Sequence, residues 1–373
     1  MAASDDTDPV ISPYQGLEDR AFWRSGVVEA DAYPPHDIYK PKFVIPRDLP
    51  IFTAGSCFAQ HVGRTLRHNG YDVIDAEPAP AKLPDALAQR HGYRLYAARF
   101  GNIYTVRQFL QLMFECFGEH TPTDAVWEKD GRYFDAMRPG VTPRGHASVD
   151  DVHAARALHL AAVRQAVQKT GLVVFTFGLT ESWEHIPSGT IYPTAPGTIA
   201  GQFDANIHRF VNFRADAIKA DFMALRALFH TINKDVRFLL TVSPVPLTAT
   251  ASGTHVLPAT VYSKSVLRTV AGELAEDHDD IDYFPSYEIV SSHPSAGKFF
   301  EDNMRSVHPR GVRRVMNAFL AAQDAAAGLT PRQIRRARRD AKLAQAEAAA
   351  NTTTDTTSQD VICEEELLEA FRK

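Results

Sequence analysis

The chain has 373 residues, of which 45% are hydrophobic and 23% are charged, and its formal net charge at pH 7 is -5. This composition is ordinary for a globular protein, and the length suits one large α/β domain with extensions or two modest domains. The negative balance argues against a general nucleic-acid-binding protein. The three cysteines, Cys57, Cys116 and Cys363, cannot all pair and lack the spacing of a disulfide framework or a zinc site, which favours a reducing compartment.

The amino terminus predicts an arm rather than a targeting signal. Residues 1–6 are acidic and lack the basic and apolar regions of a signal peptide, and no later run is apolar for long enough to span a bilayer. We therefore expect a cytoplasmic protein without a membrane span. Residues 1–48 are rich in Pro, Asp and Tyr, and this composition predicts an irregular arm whose aromatic residues, such as Trp23, anchor it on the body.

The chain is organised around a strand that ends on a serine. Apolar residues 51–54 run into Gly55 and Ser56, and a helix-compatible segment follows at 59–66. A sharp strand-to-helix turn places the Ser56 hydroxyl at the carboxyl edge of a sheet, beside the free amides of a helix start. This edge is where α/β proteins place a nucleophile and the donors for its oxyanion. Ser56 is therefore a candidate nucleophile, and the alternative is that it only caps the helix.

Strands and helices alternate along the rest of the body. Strands are predicted at 71–76, 172–178, 236–242 and 281–284. Helices are predicted at 106–117, 149–169, 205–233, 261–275 and 308–326, with turn-rich surface segments at 118–145 and 192–201. The alternation predicts a doubly wound parallel sheet in one α/β domain spanning 49–326. The charged, alanine-rich and then threonine-rich sequence of 327–373 predicts a helical and partly disordered tail.

Five segments in one order resemble a known family. They are residues 55–59, 100–105, 177–183, 243–246 and 283–288. Together they resemble the GSCFA family, whose name is spelled by the first segment, from about residue 40 to about residue 320. That family is in turn similar to the SGNH (GDSL-like) hydrolases. The resemblance implies a flavodoxin-like three-layer fold and ester chemistry, without implying a substrate.

Two histidines are candidates for the general base. His308 lies between the last strand and the last helix, and the order Ser56 then His308 is similar to the SGNH pattern. The acid that usually lies three residues before this histidine is replaced by Arg305. Either Asp302 or Glu301 could orient the imidazole instead, or Ser56 and His308 could act as a dyad. The rival base is His255, which follows another predicted strand.

Several turns could supply hydrogen-bond donors to an oxyanion hole. The backbone amide of Ser56 is one candidate, and Gly101 resembles the second-block glycine of the SGNH enzymes. Gly178 opens the segment that resembles the third block, where Thr180 replaces the expected asparagine. A hydroxyl offers one donor whereas a side-chain amide offers two, so Asn102 is the alternative donor.

Five further side chains have roles left open. Cys57 is at the helix start, where its amide could serve the oxyanion and its thiol pKa would fall, although we expect the side chain to point into the body. Glu181 and Trp183 would line the crevice at the carboxyl edge of the sheet, beside Ser56. Trp183 equally suits a core position. Lys264, with Arg268 four residues later, could meet an anionic or sugar substrate or could be solvated.

Two functions are compatible with these residues. One is a serine-dependent ester hydrolase or acyltransferase that acts on acyl groups, such as O-acetyl, of a carbohydrate-like substrate without a metal or cofactor. The other is a non-catalytic ligand-binding module on the same scaffold, in which Thr180 and Arg305 mark the loss of catalytic residues. A nucleotide-binding enzyme is disfavoured because neither Gly-x-Gly-x-x-Gly nor a Walker-type loop follows any strand.

Overall fold

The computed structural model describes residues 12–330, 332–336, 339 and 364–371. The strands are β1 (Ile51–Gly55), β2 (Val126–Lys129), β3 (Arg132–Asp135), β4 (Leu172–Phe177), β5 (Glu181–His185), β6 (Thr190–Tyr192), β7 (His208–Asn212), β8 (Arg237–Val242) and β9 (Ile281–Tyr283). The α-helices are α1 (Phe58–His68), α2 (Asp85–Arg90), α3 (Val106–Cys116), α4 (Val149–Lys169), α5 (Ala215–Ile232), α6 (Val256–Asp277), α7 (Ser286–Ser291) and α8 (Pro309–Ala326).

The central sheet is parallel and has the order β1-β4-β8-β9. Val73 adds a parallel bridge on the outer side of β1, where the Ile51 N–H donates to Asp72 O at 2.8 Å and the Ile74 N–H donates to Ile51 O at 3.0 Å. If the Val73 segment is counted as a strand and the parallel strands are numbered along the chain, their spatial order across the sheet is 2-1-3-4-5. This is the flavodoxin-type doubly wound order. The predicted α/β fold is confirmed, although the strand predicted at 71–76 shrinks to this bridge.

Helices cover both faces of the sheet, as the continuous apolar runs of β4 and β8 require. One face packs against α3, α4, α5 and α6 and includes Phe52, Phe109, Val163, Phe175, Phe222, Phe238 and Leu267. The opposite face packs against α1, α7 and α8 and includes Ile51, Phe58, Val174, Leu239, Ile289 and Phe319. The result is the three-layer arrangement that the family resemblance implied, around the parallel sheet predicted from the alternating pattern.

A second sheet occupies a region that was predicted as helix and loop. β6, β5 and β7 form an antiparallel sheet in that order, so the helix predicted from residue 205 is wrong over 205–214 and begins at Ala215. Trp183 lies opposite Phe210, with ring centroids 5.9 Å apart, and such cross-strand aromatic pairs stabilise sheets. Long-range pairing therefore outweighed local helix propensity here.

The segment predicted as a turn-rich insertion contains a β-hairpin. β2 and β3 pair in antiparallel fashion around Asp130 and Gly131, whose φ angles are 51° and 71°. Two successive positive φ angles at an Asp-Gly pair are typical of a type I′ hairpin turn. The insertion is therefore more regular than its turn-rich sequence indicated.

The amino-terminal arm is anchored by aromatic residues, as predicted, over its described part from residue 12. The Tyr39 hydroxyl donates to Asp282 Oδ2 at 2.7 Å, and the Tyr33 hydroxyl donates to Ile289 O at 2.8 Å. Trp23 stacks on His293 with ring centroids 5.2 Å apart. The arm therefore lies against the β9–α7 side of the body.

Part of the carboxyl-terminal segment can be compared with the sequence. Residues 332–336 are helical, in agreement with the charged helix predicted there, and Glu364–Phe371 forms short helical turns. Most of the predicted tail lies outside the described residues. Within the described part of the chain, none of the helices has both the length and the apolarity needed to cross a membrane.

The arm contact gives a stability prediction. Tyr39→Phe removes the hydroxyl that donates to the buried Asp282 carboxylate and leaves that acceptor with only the N–H groups of Lys42 and Tyr283. We expect the free energy of unfolding in urea to fall by about 1–3 kcal/mol. Tyr14→Phe is the matched control, because Tyr14 is exposed and its loss should change stability by less than about 0.5 kcal/mol. Equal effects of the two substitutions would contradict the anchoring.

Candidate functional site

Ser56 lies at the carboxyl end of β1, beside β4, where the order of the sheet reverses. The preceding Gly55 has φ 139°, and a Cβ there would lie 2.5 Å from Thr176 O on β4. Only glycine allows so close an approach, and the chain then turns directly into α1. The Ser56 N–H donates to the same Thr176 oxygen at 3.3 Å. The sharp turn predicted from Gly55 and Ser56 is therefore fixed by contact with β4.

The Ser56 hydroxyl does not cap the helix. The N-cap of α1 is Cys57, without a side-chain capping bond, and Ser56 Oγ has no hydrogen-bond partner within the described part of the chain. Ser56 is only 3% exposed. The capping interpretation is therefore wrong. A buried, unsatisfied hydroxyl costs about 1–3 kcal/mol, so it requires another explanation.

Gly178 lies directly against Ser56. A Cβ added to Gly178 would lie 2.8 Å from Ser56 Cβ and 3.0 Å from Tyr104 O. The N–H groups of Gly178 and Leu179 both donate to Tyr104 O, at 3.2 and 2.9 Å. These two amides are therefore occupied and do not serve as oxyanion donors in this arrangement.

Thr180 and Gly178 are also held by α6. The Thr180 N–H donates to Ser263 Oγ at 3.1 Å, whereas Thr180 Oγ1 is buried and unpartnered among the residues that the structure describes. Lys264 Nζ donates to Gly178 O at 2.7 Å, and Lys264 is only 1% exposed. Lys264 therefore does not form a solvated pair with Arg268, which makes an ion pair with Glu288 on the surface.

The loop that carries Gly101 and Asn102 is tied to the end of β1. Gly101 has φ 73°, a left-handed conformation that favours glycine. Asn102 Oδ1 accepts hydrogen bonds from the Tyr96 hydroxyl and from Gln60 Nε2, the latter at 3.3 Å. Because two donors meet one end of the amide, that end is its oxygen and Nδ2 is the donor end. Tyr96 also reaches Ser56 O at 3.2 Å and so links this loop to the Ser56 turn.

Both candidate bases act as helix caps. His308 is the N-cap of α8, and its Nδ1 accepts from the Arg310 N–H at 3.0 Å. His255 is exposed and caps α6 in the same way through Leu257. A neutral imidazole whose Nδ1 accepts carries its proton on Nε2. Across residues 12–330 the structure shows no hydrogen bond from either ring to Ser56, and none from the exposed Asp302 to His308.

A cavity of about 180 Å³ opens beside this segment. Leu179, the neighbour of Gly178, lines it together with Glu181, Trp183 and Thr250. The Thr250 hydroxyl donates to Glu181 Oε1 at 2.8 Å, and burial raises the pKa of Glu181 despite that bond. Leu368, from the carboxyl-terminal turns, lines the same cavity. The cavity therefore adjoins the segment that contacts Ser56 through Leu179, whereas Ser56 itself is not among the residues that line it.

Cys57 points to the other side of the turn. It is 5% exposed and belongs to the apolar cluster that also contains Phe58, Val245 and Val312. The Cys57 side chain therefore points into the body, as expected. Neither Cys57 nor Cys116 forms a disulfide.

A second buried polar cluster lies away from Ser56. His159 Nδ1 pairs with Glu77 Oε2 at 2.7 Å, and Arg138 and Arg156 both pair with Asp135. Burial and the Arg138 charge lower the pKa of His159 to about 4, so this ring is neutral at pH 7 and donates to Glu77. It lines a cavity of about 30 Å³, enough for one or two water molecules. No group of His, Cys, Asp or Glu that could hold a metal occurs among the described residues.

Several residues of the site were not predicted. Gln60, Tyr96 and Ser263 carry no motif, and their roles depend on contacts between distant segments. For Lys264 a signal existed, because Leu267 and Ala271 follow it at helical spacing and are buried. That pattern places Lys264 on the inner face of α6.

The close packing at Gly178 gives a direct prediction. Gly178→Ala places a methyl group against Ser56 and the Tyr104 backbone, so we expect thermal or urea unfolding to show a loss of about 1–3 kcal/mol. The control is Gly272→Ala on α6, where the new methyl meets only the flexible end of Arg268 and alanine favours the helix. A Gly178→Ala protein as stable as the control would contradict this packing.

Comparison with known families accords with this geometry. The sequence profile of the GSCFA family matches residues 50–319. The matched range contains β1, β4, β8 and β9, together with Ser56 and both candidate histidines. Among curated proteins, none matches the chain. Because the match covers well over half of its length, the chain belongs to the GSCFA family.

Proposed function

We propose that this protein is a serine-dependent ester hydrolase or acyltransferase with Ser56 as its nucleophile. The observation that carries the proposal is the Ser56 hydroxyl, which is buried at the turning point of the sheet and neither caps α1 nor meets a partner in the described chain. In open α/β sheets, ligands bind at the carboxyl ends of the strands at this point. A catalytic role is one of the explanations for a buried polar group that is left unsatisfied in a native structure.

The proposed reaction has two acyl-transfer steps. Ser56 Oγ attacks the ester carbonyl carbon while its proton passes to a base, the Oγ–C bond forms, and the carbonyl electron pair moves onto the oxygen. Collapse of this anion restores the carbonyl and breaks the bond to the leaving alcohol oxygen, which takes the proton. Water or an acceptor hydroxyl then attacks the acyl-serine in the same way and restores Ser56. Water gives hydrolysis, and a hydroxyl gives transfer.

The proposal has two candidates for the base and two for the oxyanion donor. His308 is the first candidate for the base, with Asp302 to orient it, and His255 is the rival. Either ring must give up its cap before it can act, because the Nδ1 lone pair is occupied by a backbone N–H. For the oxyanion, Thr180 and Asn102 are both candidates: the Thr180 N–H is taken by Ser263, but the Thr180 hydroxyl is buried without a partner among the described residues.

The substrate class is supported by the neighbouring cavity. Trp183 presents an aromatic surface, and Glu181, Thr194 and Thr250 present oxygen atoms around a volume of about 180 Å³. An aromatic face with a few polar groups suits a carbohydrate-like molecule that carries an acyl group. A cytoplasmic location is part of the proposal and is supported by the thiols of Cys57 and Cys116, which are not joined in a disulfide.

A specific observation also favours the second candidate, a non-catalytic ligand-binding module. Ser56 is 3% exposed, and both imidazoles are engaged as caps rather than with the serine. A module that only binds a ligand would keep the cavity and would need no accessible nucleophile. Chemical labelling distinguishes the two candidates.

The first test is covalent labelling of the full chain by a fluorophosphonate, with the modified residue located by mass spectrometry. We expect the label on Ser56 and its loss in Ser56→Ala. Ser243→Ala is the matched control, because Ser243 is also buried at the carboxyl end of a strand, and it should label like wild type. Failure of the folded wild-type protein to label would refute the enzyme proposal and favour the binding module.

The second test identifies the base. Asparagine is a good N-cap, so His308→Asn and His255→Asn each keep a capping side chain and remove the imidazole. We expect His308→Asn to slow labelling by about 10²- to 10⁴-fold, the usual contribution of a general base, and His255→Asn to label at nearly the wild-type rate. The reverse result would assign the base to His255, and normal labelling of both variants would exclude a histidine base.

A further inference from the structure

Two buried imidazole nitrogens lie beside the polar cluster around Glu77 without a partner in the described part of the chain. His159 on α4 is 1% exposed, and its Nε2 atom forms no hydrogen bond there. The Nε2 atom of His120, in the segment after α3, is buried and unpartnered in the same way. Both rings line the same cavity of about 30 Å³. Unpaired buried polar atoms are costly, so two of them around one small cavity require a common explanation.

The contacts of His159 fix its hydrogen-bonding role. Its Nδ1 atom lies 2.7 Å from Glu77 Oε2. Although burial opposes it, the hydrogen bond from His159 and the Arg138 charge lower the pKa of Glu77 to about 2, so this carboxylate can only accept. The proton of the neutral His159 ring is therefore on Nδ1, and Nε2 carries a lone pair. The ring offers the cavity an acceptor and needs a donor in return.

The size and the charges of the cavity limit what it can bind. A water molecule needs about 10–15 Å³ of such volume and two to four polar partners, so there is room for water but not for an organic ligand. The described residues include no group of His, Cys, Asp or Glu that could hold a metal. An anion is disfavoured as well, because it cannot donate to the lone pair of His159. The occupant that remains is a small neutral donor.

Gln111 provides a third polar group at the wall of this cavity. Its Oε1 accepts the Ile191 N–H at 2.9 Å, and its Nε2 donates to Gly189 O at 2.8 Å. These two bonds fix the orientation of the amide and use one of its two hydrogens. The second amide hydrogen is left for a ligand.

We infer that this cavity is a binding site for an ordered water molecule that bridges His159 and His120. The water donates one hydrogen to His159 Nε2 and forms a second hydrogen bond with His120 Nε2, as donor or acceptor according to the tautomer of that ring. Its oxygen can also accept the second amide hydrogen of Gln111. A bridge of this kind satisfies both imidazole nitrogens and is nearly as favourable in enthalpy as a direct hydrogen bond.

The bridge extends the polar layer that holds the loop of Asn102. Glu77 Oε2 also accepts the Arg99 N–H at 2.7 Å, and Arg138 donates to Arg99 O at 3.1 Å. The water therefore joins His120, at the start of the segment that leads to β2, to the cluster that fixes this loop. The inference does not rest on the proposed ester reaction.

A high-resolution crystal structure of the full chain tests the site directly. We expect one ordered water molecule within about 2.7–3.2 Å of both Nε2 atoms. An empty cavity, density for an ion, or a water bound to only one of the two rings would overturn the inference.

Thermal unfolding of variants tests the same bridge in solution. His159→Asn keeps a side-chain donor for Glu77 and removes Nε2, whereas His120→Leu removes the other ring nitrogen. Each substitution leaves the water one partner short, so we expect each to lower Tm by about 1–4 °C and the double variant to lose less than the sum.

The matched control is His153→Leu, because His153 is exposed on the same helix as His159. Its effect should add to that of His159→Asn, since distant residues without a shared partner behave independently. Additive losses for His120→Leu and His159→Asn as well would show that no water couples the two rings.

Discussion

The contact between the carboxyl ends of β1 and β4 determines the geometry of the candidate site. It requires one glycine at the end of β1 and another directly after β4: Gly55 lies against Thr176, and Gly178 lies against Ser56. Neither position tolerates a Cβ without displacement of backbone atoms. The two strands therefore approach closely enough to enclose the Ser56 hydroxyl, and the surrounding loops are arranged around that enclosure.

Two groups of contacts hold this enclosure in place. On one side Tyr96 joins the Ser56 carbonyl to the Asn102 side chain. On the other side Ser263 and Lys264 hold the 178–180 segment through a backbone N–H and a backbone carbonyl. The site is therefore built from rigid elements, which suits a role that depends on fixed donors and charges.

The two candidate histidines have no hydrogen bond to this enclosure within the described residues and serve as helix caps instead. His308 and His255 each satisfy a backbone N–H at a helix start, and that role accounts for their positions without any reference to catalysis. Either histidine can act as a base only if its ring gives up the hydrogen bond with which it caps the helix. Chain order placed both histidines after strands of the sheet, but it could not show that their Nδ1 atoms accept backbone hydrogen bonds.

The sequence by itself determined the architecture and the position of Ser56. The continuous apolar runs of β4 and β8, and the Gly55-Ser56 turn, are local features whose burial and geometry follow from residue type and spacing. It did not predict β7, because the residues of β7 pair only with β5, and such pairing depends on segments that meet after folding. Nor did it predict that Ser56 is enclosed, that Lys264 is buried beneath Gly178 or that Tyr96 joins two loops. The tertiary structure decided these points, because hydrogen bonds between residues far apart in the chain leave no periodic signal in the sequence, even where helical spacing indicates the buried face, as it does for Lys264.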